Sequence, residues 1–169
     1  MPTLYRAYNG ATAALTAAMA PVTTGTSLKT MLQLSPKTGV DLHPRAWGIS
    51  FDGSAAATPG KVELIETDVA ATVTAYASGD IVKMNNPGGP AADSALITLG
   101  TANSGFTASA EGTITATRLL DYQLIAPTNQ YIYQWPLGTE TIAQAGKFLR
   151  IRVTFGTAIN AVCWVDFEG

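Results

Sequence analysis

The stretch Leu149-Arg150-Ile151-Arg152-Val153-Thr154-Phe155, near the C-terminus, alternates apolar and polar side chains residue by residue. A period of two is typical of a β-strand with one buried face. After the turn Gly156-Thr157-Ala158, the stretch Ala161-Val162-Cys163-Trp164-Val165-Asp166-Phe167 repeats the pattern. Its inner face would carry alanine, cysteine, valine and phenylalanine. The two stretches therefore predict an antiparallel pair of strands at the end of the chain.

Similar short segments recur upstream, with Gly, Pro, Asn and Ser residues between them. We predict further strands at residues 28–34, 45–51, 62–67, 71–76, 95–99, 113–125 and 131–135. No segment shows a convincing amphipathic helical period. About eight or nine short, regularly spaced strands indicate an all-β protein, either a sandwich or a barrel. The high content of threonine, with 23 copies, favours strands for the same reason.

Two segments do not fit this pattern of strands. Residues 1–26 are rich in alanine, but interspersed threonines, Gly10 and Pro21 argue against a helix. We predict an extended N-terminal arm over residues 1–26 and one β-domain over residues 27–169. The second segment, residues 78–94, contains Asn85-Asn86-Pro87-Gly88-Gly89-Pro90 and is predicted to be a long surface loop.

The composition excludes several classes of function. Only 13% of the 169 residues are charged, and the formal net charge is −2. One cysteine and one histidine cannot supply a disulfide framework or a His/Cys zinc site. Ten basic residues against twelve acidic ones leave little positive charge for nucleic acid. No apolar run is long enough to span a membrane, and no signal peptide is recognisable, so we expect synthesis in the cytoplasm and no membrane partner.

Candidate catalytic groups are sparse. His43 follows Asp41 closely, an arrangement that could orient a general base, but no nucleophile motif accompanies it. Cys163 lies within a strand among apolar residues and is expected to be a small core residue. Glu63 and Glu66 would fall on opposite faces of their strand. We therefore predict that the chain is not an enzyme and uses no cofactor or metal.

Oxygen-bearing residues in the long loop allow one alternative. The side chains of Asp80, Asn85, Asn86 and Asp93 could converge on a calcium ion, although their spacing matches no known calcium loop. Ordinary turn residues explain them more simply. The glycine-rich stretches also lack the lysine and the following helix of a phosphate-binding loop.

Aromatic and arginine side chains suggest a contact surface. Tyr131, Tyr133 and Trp135 share one face of a strand, and Arg150 and Arg152 share one face of another. The aromatic row could pack in a core, fill an oligomer interface or stack on sugars. The arginines could form surface ion pairs or interface contacts, where arginine is enriched. We predict that these five residues form an oligomer interface, because closed assembly would bury costly exposed aromatics.

Several of these segments together resemble a known family. They are Thr24-Gly25-Thr26-Ser27-Leu28-Lys29-Thr30-Met31-Leu32-Gln33-Leu34, Trp47-Gly48-Ile49-Ser50-Phe51-Asp52-Gly53-Ser54-Ala55-Ala56, Lys61-Val62-Glu63-Leu64-Ile65-Glu66-Thr67, Leu149-Arg150-Ile151-Arg152-Val153 and Ala161-Val162-Cys163-Trp164-Val165. The chain resembles the jelly-roll head-decoration (cement) proteins of tailed phages, especially those encoded near the capsid genes of actinobacterial phages. The similarity covers most of the chain from Thr24 onward.

The resemblance implies a single jelly-roll-like antiparallel β-sandwich and a structural role in the virion. Proteins of this family are typically trimers on the outside of an assembled capsid. The expected partners are the major capsid protein and two further copies of the chain. The arm would contact the capsid through its larger side chains, namely Leu4, Tyr5, Arg6, Tyr8, Leu15 and Met19. Two alternatives remain open: a carbohydrate-binding jelly-roll module and a structural tail protein of a phage.

Overall fold

The computed structural model describes residues 2–101 and 103–169, which form twelve strands. The strands are β1 (Tyr5–Tyr8), β2 (Val22–Thr23), β3 (Lys29–Leu34), β4 (His43–Phe51), β5 (Gly60–Thr67), β6 (Thr72–Ala75), β7 (Val82–Lys83), β8 (Gly105–Ala110), β9 (Thr117–Ile125), β10 (Gln130–Gln134), β11 (Phe148–Thr154) and β12 (Asn160–Glu168). A 3-10 turn (Ser78–Asp80) and one short helix, α1 (Ala92–Ala95), complete the regular structure of this part of the chain.

The strands form two antiparallel sheets that pack together as a β-sandwich. The order in the first sheet is β10-β4-β12-β1-β7, and β2 also pairs with β12. The second sheet has the order β6-β8-β3-β11-β5-β9. The strands β9 and β10 follow each other in sequence but lie at the edges of different sheets. In the described ranges no helix is long and apolar enough to cross a membrane.

The alternation that predicted the C-terminal strands sets the orientation of their side chains. Leu149, Ile151 and Val153 of β11 lie in the core between the sheets, and so do the apolar side chains that alternate along β12. Burial of such side chains stabilises the fold by roughly 1.5–3 kcal/mol each. The prediction of an all-β sandwich is therefore confirmed.

The structure differs in detail from two local predictions. The sequence predicted about eight or nine strands, and the described residues form twelve, several of which are short. Residues 95–99 were expected to form a strand, but they include the end of α1 and only an isolated bridge from Ile97 to Pro36. Ile97 is nevertheless fully buried, so its apolar character reflects core packing and not strand geometry.

The N-terminal segment is not a free arm. Strand β1 lies inside the first sheet, where Tyr5 is opposite Phe167 on one side and Lys83 on the other. The side chain of Asn9 extends this pairing, since it donates to the carbonyl of Ala161 (3.0 Å) and accepts from the amide of Cys163 (2.9 Å). The prediction of an extended arm over residues 1–26 is therefore corrected. The connection from β1 to β2, residues 9–21, is irregular, and most of it from Ala11 onward is exposed.

Candidate interaction surface

The predicted capsid-contact residues of the N-terminal segment are mostly held by the sandwich itself. Tyr5 is buried against Phe167, with ring centres 5.7 Å apart. Arg6 makes a two-pronged ion pair with Asp166, at 2.6 and 2.7 Å. Leu4 and Tyr8 are half-buried. The expected partner contact is corrected for the buried Tyr5, whereas Leu4, Arg6 and Tyr8 stay partly exposed although they also make contacts within the sandwich.

The two remaining arm residues lie in the surface loop of residues 9–21. Leu15 is 54% exposed, whereas Met19 is half-buried near Gly10. The carboxylate of Asp80 holds the start of this loop by accepting from the amides of Thr12 (2.8 Å) and Ala13 (3.0 Å). The loop borders an open groove of about 410 Å³. The loop is thus anchored at its base and presents mainly alanines and Leu15 to solvent.

The anchoring also bears on the calcium alternative for the long loop. Asp80 is buried, and its second oxygen accepts from the amide of Ala77 at 2.8 Å. Asn85 bonds to the N-terminal segment, where its side chain accepts from the amide of Leu4 (2.8 Å). Among the described residues, no group of three or more His, Cys, Asp or Glu side chains could hold a metal ion. Residues 78–90 therefore serve to attach the N-terminal segment.

The aromatic row of β10 shares one face, as predicted, but that face points into the sandwich. The ring of Tyr131 lies 5.3 Å from that of the buried Trp47. Trp135 is partly buried against the core and meets Tyr133 edge to face at 5.2 Å. Tyr133 keeps 38% of its surface exposed. The predicted exterior interface is thus corrected for Tyr131, which packs against Trp47, and for Trp135, which packs against the core.

A carboxylate between the two sheets explains why this row turns inward. Asp121 of β9 accepts hydrogen bonds from the indole nitrogen of Trp47 (3.2 Å), the hydroxyl of Tyr131 (2.9 Å) and the amide of Gln123 (3.0 Å). Burial, followed by the bond to Asp121, raises the pKa of Tyr131 to about 12. The hydroxyl therefore remains a donor, and this network joins the edges of the two sheets.

Arg150 and Arg152 share the outer face of the second sheet, but they differ in environment. Arg150 is completely buried and donates to the carbonyl of Val69 and to the carbonyl (3.1 Å) and carboxylate (3.3 Å) of Glu111. Burial lowers the pKa of this guanidinium. Arg152 is half-buried and pairs with Glu63 at 2.7 Å. Arg150 cannot reach a partner protein, so its assignment to an interface is corrected.

The candidate catalytic groups occupy structural positions. Cys163 is fully buried in the core, and burial raises the pKa of its thiol well above the ordinary value. His43 begins β4, opposite Glu168 of β12. Glu63 and Glu66 lie on opposite faces, as predicted, and each pairs with an arginine, Arg152 and Arg118 respectively.

Strand β9 carries an apolar surface that the sequence alone did not predict. After a bulge in its pairing with β5, the polar Asp121 and Gln123 point inward, whereas Tyr122 and Leu124 point outward. Leu119, just before the bulge, also points outward, because it is opposite Ile65 on the outer face. The exposed fractions are 57% for Leu119, 41% for Tyr122 and 65% for Leu124. We call these three residues the β9 stripe.

The outer face of the first sheet carries a second group of large side chains. The ring of Trp164 lies over Gly48, where a Cβ atom would be only 2.8 Å from ring carbons. The guanidinium of Arg6 stands 4.0 Å from the centre of the same ring, which is a cation–π distance. Ile132 of the edge strand β10 completes this row beside Gly48 and is 58% exposed.

Comparison with known proteins identifies no relative: no family model, curated protein or solved structure matches the chain. Indications of function therefore come from the chain's own residues. Several apolar side chains are exposed on a weakly charged surface. The buried polar groups make hydrogen bonds and ion pairs that hold the fold together.

Proposed function

We propose that this chain is a virion structural protein that decorates the outside of an assembled phage capsid and stabilises it by contact. The observation that carries the proposal is the β9 stripe. This edge strand turns its polar side chains inward and its leucines outward, and contact of the leucines with water costs free energy in a monomer. Exposed apolar patches of this kind mark protein contacts. A partner surface that covers Leu119, Tyr122 and Leu124 would remove that cost.

The scarcity of charge supports the same proposal. A formal net charge of −2 over 169 residues produces little repulsion between many copies that bind side by side on a lattice. The surface loop of residues 9–21 adds a second apolar contact point at Leu15. Its other side chains are mostly small, which permits close approach of a partner backbone. The capsid contact is thus assigned to this loop and the β9 stripe, and no longer to the residues of β1.

The resemblance to head-decoration proteins supplies the remaining parts of the proposal. These are the jelly-roll arrangement of the sandwich, the major capsid protein as partner, assembly into a trimer, and a position on the capsid exterior. Tyr133 and Arg152 are the predicted interface residues that remain partly exposed. We assign Arg152 and its exposed neighbours to the trimer contact, because Tyr133 lies on the edge strand β10 of the first sheet, away from Arg152 on the outer face of the second sheet.

Binding to empty capsid shells tests the proposal. The double variant Leu119→Ser/Leu124→Ser should weaken co-sedimentation with shells of the major capsid protein by at least about tenfold, the loss expected when central apolar contacts are removed. Leu28→Ser is the control, because Leu28 is also exposed but lies outside the stripe. Unchanged binding by a double variant that melts like the wild type would contradict the role of the stripe.

A further inference from the structure

The edge strand β10 directs half of its backbone groups away from the sheet. The carbonyl of Asn129 accepts from the amide of Phe51 (3.3 Å). At the other end, the amide of Trp135 donates to the carbonyl of Arg45 (3.1 Å). In an antiparallel ladder, alternate residues direct both their N–H and their C=O to the same neighbour. The odd-numbered residues of this strand therefore face β4.

The even-numbered residues face the open edge by the same rule. They are Gln130, Ile132 and Gln134, and all three side chains are exposed. In the part of the chain that the structure describes, β10 is the last strand of its sheet. The backbone of these residues thus presents a row of donors and acceptors to solvent, which is a template for a further strand.

The other sheet edges have features that discourage such pairing, whereas β10 has none. Strand β7 has two residues, one of them Lys83. Strand β6 is short and irregular in its pairing. Strand β9 contains a bulge and the charged residues Arg118 and Asp121. Short length, charge and bulges are the common means of protecting an edge. β10 is regular in its pairing and carries no charged residue.

The sequence of β10 identifies the strand that fits this edge. Gln130-Tyr131-Ile132-Tyr133-Gln134 reads identically in both directions. A second β10, placed antiparallel about Ile132, would put glutamine opposite glutamine, tyrosine opposite tyrosine and isoleucine opposite isoleucine. The outward-facing backbone groups of Gln130, Ile132 and Gln134 would meet their counterparts in hydrogen-bonded register. No like charges would face each other across the two-fold axis.

We propose that β10 is a self-association edge at which two copies of this chain pair antiparallel about Ile132, joining their first sheets into one continuous sheet. The contact is isologous, because the same strand serves both copies. Ile132 would pack beside the partner's Ile132 on the outer face, and the exposed part of Tyr133 would be covered by the partner's Tyr131.

This contact is independent of the proposed capsid function and of the trimer. A two-fold contact cannot close a ring of three copies, so it would either form a dimer or link one trimer to the next. Substitutions at Ile132 leave the β9 stripe intact. Failure of β10 pairing and failure of capsid binding are therefore separate results.

Disulfide trapping tests the register. Opposed residues of a hydrogen-bonded antiparallel pair have Cα atoms about 5.5 Å apart, within the range that a disulfide spans. Ile132→Cys in the full chain should give an oxidised dimer at least about tenfold faster than Leu15→Cys, a similarly exposed site on the surface loop of residues 9–21. The native Cys163 is buried and does not compete. Equal rates for the two variants would overturn the proposed register.

Analytical ultracentrifugation tests the contact without a cross-link. The wild-type chain should show a reversible doubling of mass, from monomer to dimer or from trimer to hexamer, as its concentration rises. Ile132→Lys places two ammonium groups face to face and should weaken this step by at least about tenfold, whereas Ile132→Val should preserve it. A mass that does not double, or a doubling that Ile132→Lys leaves unchanged, would overturn the proposal.

Discussion

At the scale of single residues, close contacts at Gly48 and at Asp68 hold neighbouring segments in place. Gly48 allows the ring of Trp164 to lie flat on strand β4, beneath the guanidinium that Arg6 contributes. Asp68 fastens the segment before β9, because it accepts from the hydroxyl of Thr115 and from the amide of Ala116 (3.0 Å). Each contact predicts the effect of a single substitution.

Gly48→Ala should destabilise the protein by about 1–3 kcal/mol, since the new Cβ would overlap the Trp164 ring and force it away from the sheet. Urea unfolding followed by tryptophan fluorescence measures the loss. Ser50→Ala, on the same face of the same strand, is the control and should change stability by less than about 0.5 kcal/mol. Equal stability of the two variants would mean that the ring is not seated on Gly48.

The carboxyl of Asp68 should titrate at an unusually low pH. Its hydrogen bond from the Thr115 hydroxyl, with help from backbone amides, lowers its pKa from 3.8 to about 2. A pKa that is depressed in the folded state contributes stability above about pH 4, which is lost as the pH falls from there toward about 2. NMR titration should show this midpoint move toward 3.8 in Thr115→Ala. The neighbouring Thr113→Ala should leave it unchanged, and a midpoint indifferent to Thr115 would contradict the assigned cause.

At the scale of the elements, the connection from β8 to β9 is tied across the outer face of the second sheet. Glu111 accepts from the backbone amide (2.5 Å) and the hydroxyl (2.6 Å) of Thr30, and its carboxylate also meets the buried Arg150. This carboxylate is the acidic partner of an arginine that has no contact with water. Removal of one member of a buried pair is far more costly than replacement of both.

Glu111→Ala should therefore destabilise the fold by about 3 kcal/mol, because it leaves the Arg150 charge buried without its carboxylate. The double variant Glu111→Ala/Arg150→Met should recover part of that loss. Glu63→Ala is the matched control, since it breaks the pair with Arg152, in which both side chains keep some contact with water, and should cost less than about 1 kcal/mol. Chemical denaturation that ranks Glu63→Ala as the more harmful change would contradict this account.

Some strands and their inner faces could be predicted from the sequence alone, and others could not. Period-two alternation predicted β11 and β12 with the correct inner faces, because each strand buries one face against the opposite sheet. It missed β1, since four residues with large side chains on both faces have no clear period, and their partners on β12 are far away in sequence. The alternation predicted strand β9, but it did not predict which of the side chains of β9 face the core. Asp121 points inward because Trp47 and Tyr131 donate to it, and those partners are brought together only by the fold.

At the scale of the whole molecule, half of the large apolar side chains that are exposed in the described part of the chain lie on the edge strands β9 and β10. The β9 stripe lies on the outer face of the second sheet, whereas Ile132 lies on the outer face of the first. We assign the stripe to the capsid and the β10 edge to a second copy of the chain. The composition predicted a surface suited to contact with other proteins. It could not predict where the exposed apolar side chains lie, because their location depends on which strands end each sheet.

The measurement that tests the central proposal most directly is the location of the chain on virus particles. We propose to image phage particles that are assembled with a labelled copy of the chain present and are then purified. The account predicts label distributed regularly over the outer surface of the head, and its loss from the head when the copy carries Leu119→Ser/Leu124→Ser. Label confined to the tail, or absent from intact particles, would contradict the account.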